Sequence, residues 1–216
     1  MIELFAHPFS SFCWKAEIAF YESGIDYTLR MLGPDSDAPA ELKRIWPLER
    51  FPVLRDGTRV VPEATAIIEY LSVHHPGTAT LIPADADVAI EVRLWDRFFD
   101  NYISTPQASI VFNAIRNTAD RDPIGDDRAR AMLDTAYAVL DERMAGREWA
   151  AGDFSMADCA AAPALFYADW THPLGDRFPN VTAYRTRLLA RPSVARAVDE
   201  ARPFRPYFPL GAPDRD

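Results

Sequence analysis

Cysteine is scarce in this chain: Cys13 and Cys159 are the only two among 216 residues. Two thiols cannot build a disulfide framework or a four-thiolate metal site. Histidine is also sparse, and the adjacent pair His74-His75 points its rings apart on a helix, which suits a solvated helix end better than a metal centre. No metal is expected. G-x-G-x-x-G, the Walker P-loop, H-E-x-x-H, G-x-S-x-G and C-x-x-C are all missing, so nucleotide, zinc-protease and serine-hydrolase readings lack their main motifs. Long apolar runs are missing too. The longest, Cys159 to Ala168, is closed by Asp158 and Asp169 and reaches half of the roughly 20 residues a membrane span needs. The opening Met1-Ile2-Glu3-Leu4-Phe5 carries neither a charged leader nor an apolar signal core, so a reduced, cytoplasmic setting is expected. Basic charge is in deficit, 23 Lys and Arg against 32 Asp and Glu, and a net −9 repels a polyanion such as nucleic acid. Neither nucleic acid nor membrane is an expected partner.

What is present is the mixture of an ordinary globular protein, 49% hydrophobic and 25% charged. The length suits one large domain or two small ones. Residues 1–75 read as short strands alternating with helices. Ile2 to Ala6 alternates as a strand does and is stopped by Pro8. Ser10 and Ser11 are good helix caps, and Ile18, Ala19 and Phe20 carry an apolar face up to Gly24. Tyr27 to Met31 reads as a second strand and Ala40 to Ile45 as a short helix. Val53-Leu54-Arg55 and Thr58-Arg59-Val60-Val61 flank Asp56-Gly57, a hairpin signal in which both turn residues are expected at positive φ. Glu63 to His74 closes the unit as a helix. The order is β-α-β-α-β-β-α.

Residues 76–83 hold two prolines, a glycine and two threonines and read as a linker. Residues 84–205 are helical in pattern. Val88, Val92, Trp95, Phe99 and Tyr102 fall at alternating steps of four and three, the seam of one long helix, and Ala129, Leu133, Ala136 and Leu140 repeat the spacing. Ser155-Met156-Ala157-Asp158 opens a further helix in capping-box style, with Asp in the place of Glu. Asn180 to Leu189 and Ser193 to Ala201 give two more. The tail after Arg202 carries four prolines, and residues 206–216 are expected to be irregular. The expected fold is a small α/β domain followed by an all-α domain.

Three features can carry chemistry. The turn Pro8-Phe9-Ser10-Ser11-Phe12-Cys13 sits between strand and helix, where free N–H groups and the helix dipole favour an anion and a hydroxyl can donate to a thiolate. Taken alone, Ser10 and Ser11 read more readily as helix caps. Arg50-Phe51-Pro52-Val53 starts a strand with a proline, and a tight turn there can free backbone groups for an extended peptide ligand; simple strand punctuation reads equally well. Glu63-Ala64 opens a helix, where Glu63 can accept an ammonium and the Ala64 N–H can bind a carboxylate; a charge placed there for helix stability alone is the plainer reading.

Taken together, Pro8 to Lys15, Phe51-Pro52-Val53-Leu54, Glu63 to Leu71 and Phe154-Ser155-Met156-Ala157-Asp158 resemble the cytosolic glutathione transferases, over nearly the whole chain. The resemblance implies a thioredoxin-like domain that binds glutathione, an all-α domain that completes the pocket for a small hydrophobic electrophile, a homodimer and a role in detoxification. It also implies roles for single residues. Ser10 falls where serine-type zeta and theta members keep the catalytic hydroxyl and omega-like members a cysteine, with Ser11 next in register. Cys13 matches the second cysteine of a thioredoxin-type C-x-x-C. Pro52 matches the cis-proline, and Val53, beside Phe51, the residue whose main chain pairs with the cysteinyl part of glutathione. Glu63 and Ala64 match the acid-serine pair that holds the γ-glutamyl end, and Arg50 lies near the glycyl carboxylate. Asp158 matches a structural capping aspartate. The family usually has serine where this chain has Ala64, so one charge-assisted bond worth about 1.5–3 kcal/mol is absent; Thr65, one position late, is the candidate substitute. Phe9, Phe12 and Tyr102 are candidates for the electrophile wall. The expected reaction is attack by a Ser10-stabilised glutathione thiolate, with isomerase or peroxidase side activity open. Two alternatives stand beside it: a thiol reductase using Cys13, and a transferase-fold module that binds or assembles without catalysis.

Overall fold

The computed structural model describes residues 1–216. Its first unit runs β1 (Ile2–Ala6), α1 (Ser11–Ser23), β2 (Thr28–Met31), α2 (Ala38–Ile45), β3 (Val53–Asp56), β4 (Arg59–Pro62) and α3 (Ala64–His74). The sheet order is β2-β1-β3-β4, with β1 parallel to β2 and antiparallel to β3, and β3 antiparallel to β4. This is the expected thioredoxin-like unit. Alternation along β1 decides the layers. Leu4 and Ala6 join Cys13, Ala16 and Phe20 of α1 and Ile67 and Leu71 of α3 on one face, while Phe5 joins Ala38 and Leu42 of α2 on the other.

The hairpin differs in detail from the sequence expectation. Asp56 pairs with Arg59, so the two loop residues are Gly57 and Thr58, and only Gly57 takes a left-handed φ, 59°. Glu63 is the N-cap of α3 and not its first residue, and it too is left-handed, with φ 72°.

The second unit is all helical: α4 (Ala86–Phe98), a π-helical turn Phe99–Ser104, α5 (Thr105–Ala114), α6 (Pro123–Met144), α7 (Met156–Thr171), α8 (Pro179–Leu189) and α9 (Pro192–Ala201). Every residue of α7 is buried, and this helix is the axis of the core. Its start is held by Asp158, which accepts from Ser155 N at 2.9 Å, Ser155 Oγ at 3.1 Å, Ala150 N at 3.0 Å and Tyr184 Oη at 2.5 Å. Burial pushes this carboxyl up, and those four donors oppose the push.

The long seam predicted through Tyr102 breaks at the π turn. A π turn spends extra residues per revolution, so every side chain beyond it is rotated relative to an uninterrupted α-helix. Val92, Trp95 and Phe99 are buried as predicted, but Val88 in the first turn of α4 is 38% exposed and Tyr102 is 49% exposed, and beyond the π turn Ile103 takes the core position instead.

The linker is pinned. Thr78 N donates to Ser23 O at 3.0 Å and Thr78 Oγ1 to Glu22 O at 3.0 Å, both at the C-terminal end of α1. A Cβ on Gly77 would stand 2.2 Å from Ser23 O, so the two backbones are in direct contact there. The tail is more ordered than its prolines suggest. Residues Arg202–Tyr207 form a 3-10 helix, Phe208 is buried in the main core, and Arg202 and Arg205 both bind Asp216.

Candidate active site

A cavity of about 610 Å³ opens where the end of β1, the β3 entry and the α3 start face α5, α7 and the tail. After β1 the chain turns sharply: Ser10 N donates to His7 O at 3.0 Å and Phe9 N to His7 Nδ1 at 3.0 Å. Ser10 then caps α1 by position, with an extended backbone, but its hydroxyl bonds no N–H of the first turn. Ser10 and Ser11 both line the cavity. So do Phe9 and Phe12, with the Phe9 ring edge-on to Tyr167 at 5.5 Å and the Tyr167 hydroxyl donating to Phe9 O at 3.2 Å.

On the second side stand Arg50, Phe51 and Pro52, together with Glu49. The Phe51-Pro52 peptide is cis. The Phe51 N–H and C=O make no hydrogen bond within the protein. Val53 does not reach the wall. It is wholly buried, in register with Phe5 on one side and Pro62 on the other, so its backbone belongs to the sheet. The backbone that is free to pair with a ligand is therefore that of Phe51, two residues earlier than the resemblance suggested.

On the third side the left-handed Glu63 turns the chain into α3, and Glu63 and Ala64 face the cavity. A non-glycine residue in this conformation costs of order 1–3 kcal/mol and persists where the surroundings over-determine it. No side chain caps the α3 N-terminus. Thr65 lies elsewhere. One helical step separates it from Ala64, and its hydroxyl accepts from Lys15 Nζ at 2.8 Å and donates to Asp96 Oδ2 at 3.0 Å. The hydroxyl proposed to replace the missing serine is thus spent away from the cavity.

That contact belongs to a charged cluster that the sequence reading did not find. Lys15 of α1 meets Asp96 at 2.6 Å and Asp100 at 2.7 Å, and Arg97 binds both aspartates as well as Thr65. Burial pushes the Asp100 carboxyl up, and Lys15 chiefly opposes it. The available signal was the pair Lys15 and Glu17 inside an otherwise apolar helix segment, since charges are seldom buried without partners.

Cys13 is 0% exposed and lies off the wall; its Sγ accepts from His7 N at 3.4 Å. Burial, with the Glu17 charge adding to it, pushes the thiol up to about 12, against a smaller pull from Ser10 and His7. Tyr102 also lies off the wall and packs on Phe98, with ring centroids 5.5 Å apart, because the π turn has rotated it away. Its place is taken by Gln107, Ala108, Val111 and Phe112 of α5, and by Tyr207, Phe208 and Pro209 of the tail. The tail residues could not be found from pattern, because a proline-rich end carries no periodicity.

A thioredoxin-like sheet whose helix N-termini and cis-proline open onto a cavity roofed by an all-helical unit is the two-domain architecture that the sequence resemblance implies. Comparisons with known proteins agree. Residues 4–79 match the glutathione S-transferase N-terminal domain and residues 105–192 the C-terminal domain. The chain is 30% identical over 162 residues to the glutathione S-transferase-like protein LUC7 of a Fusarium species, covering 72% of each chain. It is 27% identical over 156 residues to glutathione S-transferase GstB of Escherichia coli, covering 68% of this chain and 72% of the other. Among solved structures, a Methylobacterium radiotolerans glutathione S-transferase in complex with glutathione sulfonate superposes with a TM-score of 0.79 at 29% identity, covering 91% of this chain and 94% of that one. The chain belongs to the glutathione S-transferase family.

Proposed function

We propose that this protein is a glutathione transferase in which the Ser10 hydroxyl and the α1 N-terminus hold glutathione as its thiolate for attack on a small hydrophobic electrophile. The observation that carries the reading is Ser10 itself: a hydroxyl at a helix start, bonding no N–H of the first turn, on the wall of a cavity that also holds Glu63 and the backbone of Phe51. A free thiol has a pKa of about 8.5, and a hydroxyl donor with the dipole behind it favours the charged form. The relative solved with glutathione sulfonate supports glutathione as the ligand.

In this reading the glutathione backbone pairs with Phe51, its γ-glutamyl ammonium meets Glu63, and its γ-glutamyl carboxylate meets the N–H of Ala64. Arg50 faces the glycyl carboxylate. Phe9, Phe12, Val111 and Phe112 hold the electrophile, and holding both reactants together supplies much of the acceleration. The family resemblance carries a homodimer with it, to be read by light scattering. The buried, high-pKa Cys13 speaks against the thiol-reductase alternative, because the thiolate is the reactive form.

The test compares Ser10→Ala with Ser11→Ala on 1-chloro-2,4-dinitrobenzene. Loss of one donor to a developing anion costs on the order of a hundredfold in rate. Ser10→Ala should lose about that and move the pH profile of kcat/KM to higher pH, while Ser11→Ala stays near the parent. The reverse pattern would transfer the role to Ser11. Failure of the parent protein to bind glutathione or turn over substrate would favour the non-catalytic alternative.

A further inference from the structure

The electrophile wall is apolar along α5 except at one residue. Gln107 is 8% exposed, and it lies in the cavity wall beside Ala108, Val111 and Phe112. Its amide orientation is fixed by a second hydrogen bond behind it. The Thr171 hydroxyl donates to Tyr167 O, one turn back in α7, at 2.8 Å. Its single proton is used there, so its oxygen can only accept, and what it accepts is the Gln107 Nε2–H at 3.0 Å. The amide nitrogen is thereby held against α7. The carbonyl oxygen, Oε1, lies on the other arm of the planar amide and receives no hydrogen bond from the protein. The Tyr167 hydroxyl on the same cavity wall spends its proton on Phe9 O at 3.2 Å.

We infer that Gln107 is a specificity-determining residue, and that the preferred second substrate presents a hydrogen-bond donor, a phenolic hydroxyl or an N–H, to its Oε1. The inference rests on the transferase reading for the word substrate, and on Gln107 and Thr171 alone for the chemistry. A carbonyl in a cavity keeps a water until a ligand displaces it. A ligand with a donor restores the lost bond. A ligand of the same shape without one leaves the carbonyl dry, at a cost comparable to a lost hydrogen bond. Amide orientation therefore turns an apolar slot into one that sorts phenols from their methyl ethers.

The test is binding of 2-naphthol against 2-methoxynaphthalene, by calorimetry, on the full chain without glutathione. The parent should prefer the naphthol by about three- to tenfold, the value of one neutral hydrogen bond. Gln107→Met, similar in length and volume, should bind the two alike while keeping the glutathione affinity of the parent. Thr171→Val removes the anchor behind the amide without touching the ligand; the amide can then turn its N–H to the cavity, and the preference for the naphthol should shrink. A parent that binds both alike, or a Gln107→Met protein that keeps the preference, would overturn the inference. The readout needs no turnover. A protein that shows this selectivity yet binds no glutathione would sink the transferase reading and leave the Gln107 assignment standing.

Discussion

Lys15 and Asp96 meet at 2.6 Å with almost no access to water, the lysine side chain 1% exposed and the aspartate 0%. They join α1 to α4, and through Thr65 they reach the first turn of α3 beside Ala64. Removing one partner of a buried pair leaves an uncompensated charge and typically costs about 3–5 kcal/mol. Lys15→Met should therefore lower stability in urea by about 3 kcal/mol at neutral pH, with Arg97 retaining part of the charge balance. Lys15→Met combined with Asp96→Asn should lose less than the two single changes added together, because the residues share one network. Additive losses would show that the pair is not coupled.

Glu17 gives a pH-dependent prediction. Its carboxyl is buried in α1 and is pushed up to about 7, first by burial and then by the Glu200 charge, with Arg196 opposing. In the unfolded chain a glutamate titrates near 4.3. Between those values the folded state holds a proton that the unfolded state has released, so stability falls as pH rises through that window. Below it both states are protonated and no difference arises. Glu17→Gln should therefore be more stable than the parent at pH 8, by up to about 3 kcal/mol, and close to it at pH 4. Equal chemical-denaturation midpoints for the two proteins at pH 8 would remove Glu17 from this role.

Ala64 tests the assignment of the α3 N-terminus to the γ-glutamyl end. Ala64→Ser adds one hydroxyl at a position that already faces the cavity. A hydrogen bond to a charged carboxylate is worth about 1.5–3 kcal/mol, so glutathione affinity by calorimetry should tighten about tenfold or more. Unchanged affinity would mean that the ligand carboxylate lies elsewhere.

Much of this architecture was legible because local chemistry and tertiary packing agree. The alternation of Ile2 to Ala6, the stop at Gly24 and the Ser155–Asp158 cap each announce an element by themselves. Ser10, Pro52, Glu63 and Ala64 were legible for the same reason, since each ends or begins an element. Other residues were not. A heptad-like seam carried through Tyr102 misplaces it, because nothing in Phe99 to Ser104 declares that the helix widens there. The resemblance gives the main-chain role to Val53, because the sequence shows a strand beginning but not which backbone groups that strand leaves unpaired. Lys15, Asp96 and Asp100 are separated by up to 85 positions and meet only after the two units pack.

Gly77 shows how a surface position can behave as an interior one. It is open to solvent, yet a Cβ there would collide with the Ser23 carbonyl. In a library carrying every amino acid at every position, exposure alone would score residue 77 as permissive. The contact of backbone on backbone makes it restrictive, and any side chain there would have to pry the crossover away from the end of α1. Since α1 begins at Ser10's turn, the tolerance of this remote crossover to change is set by the helix that also presents the proposed thiolate donor.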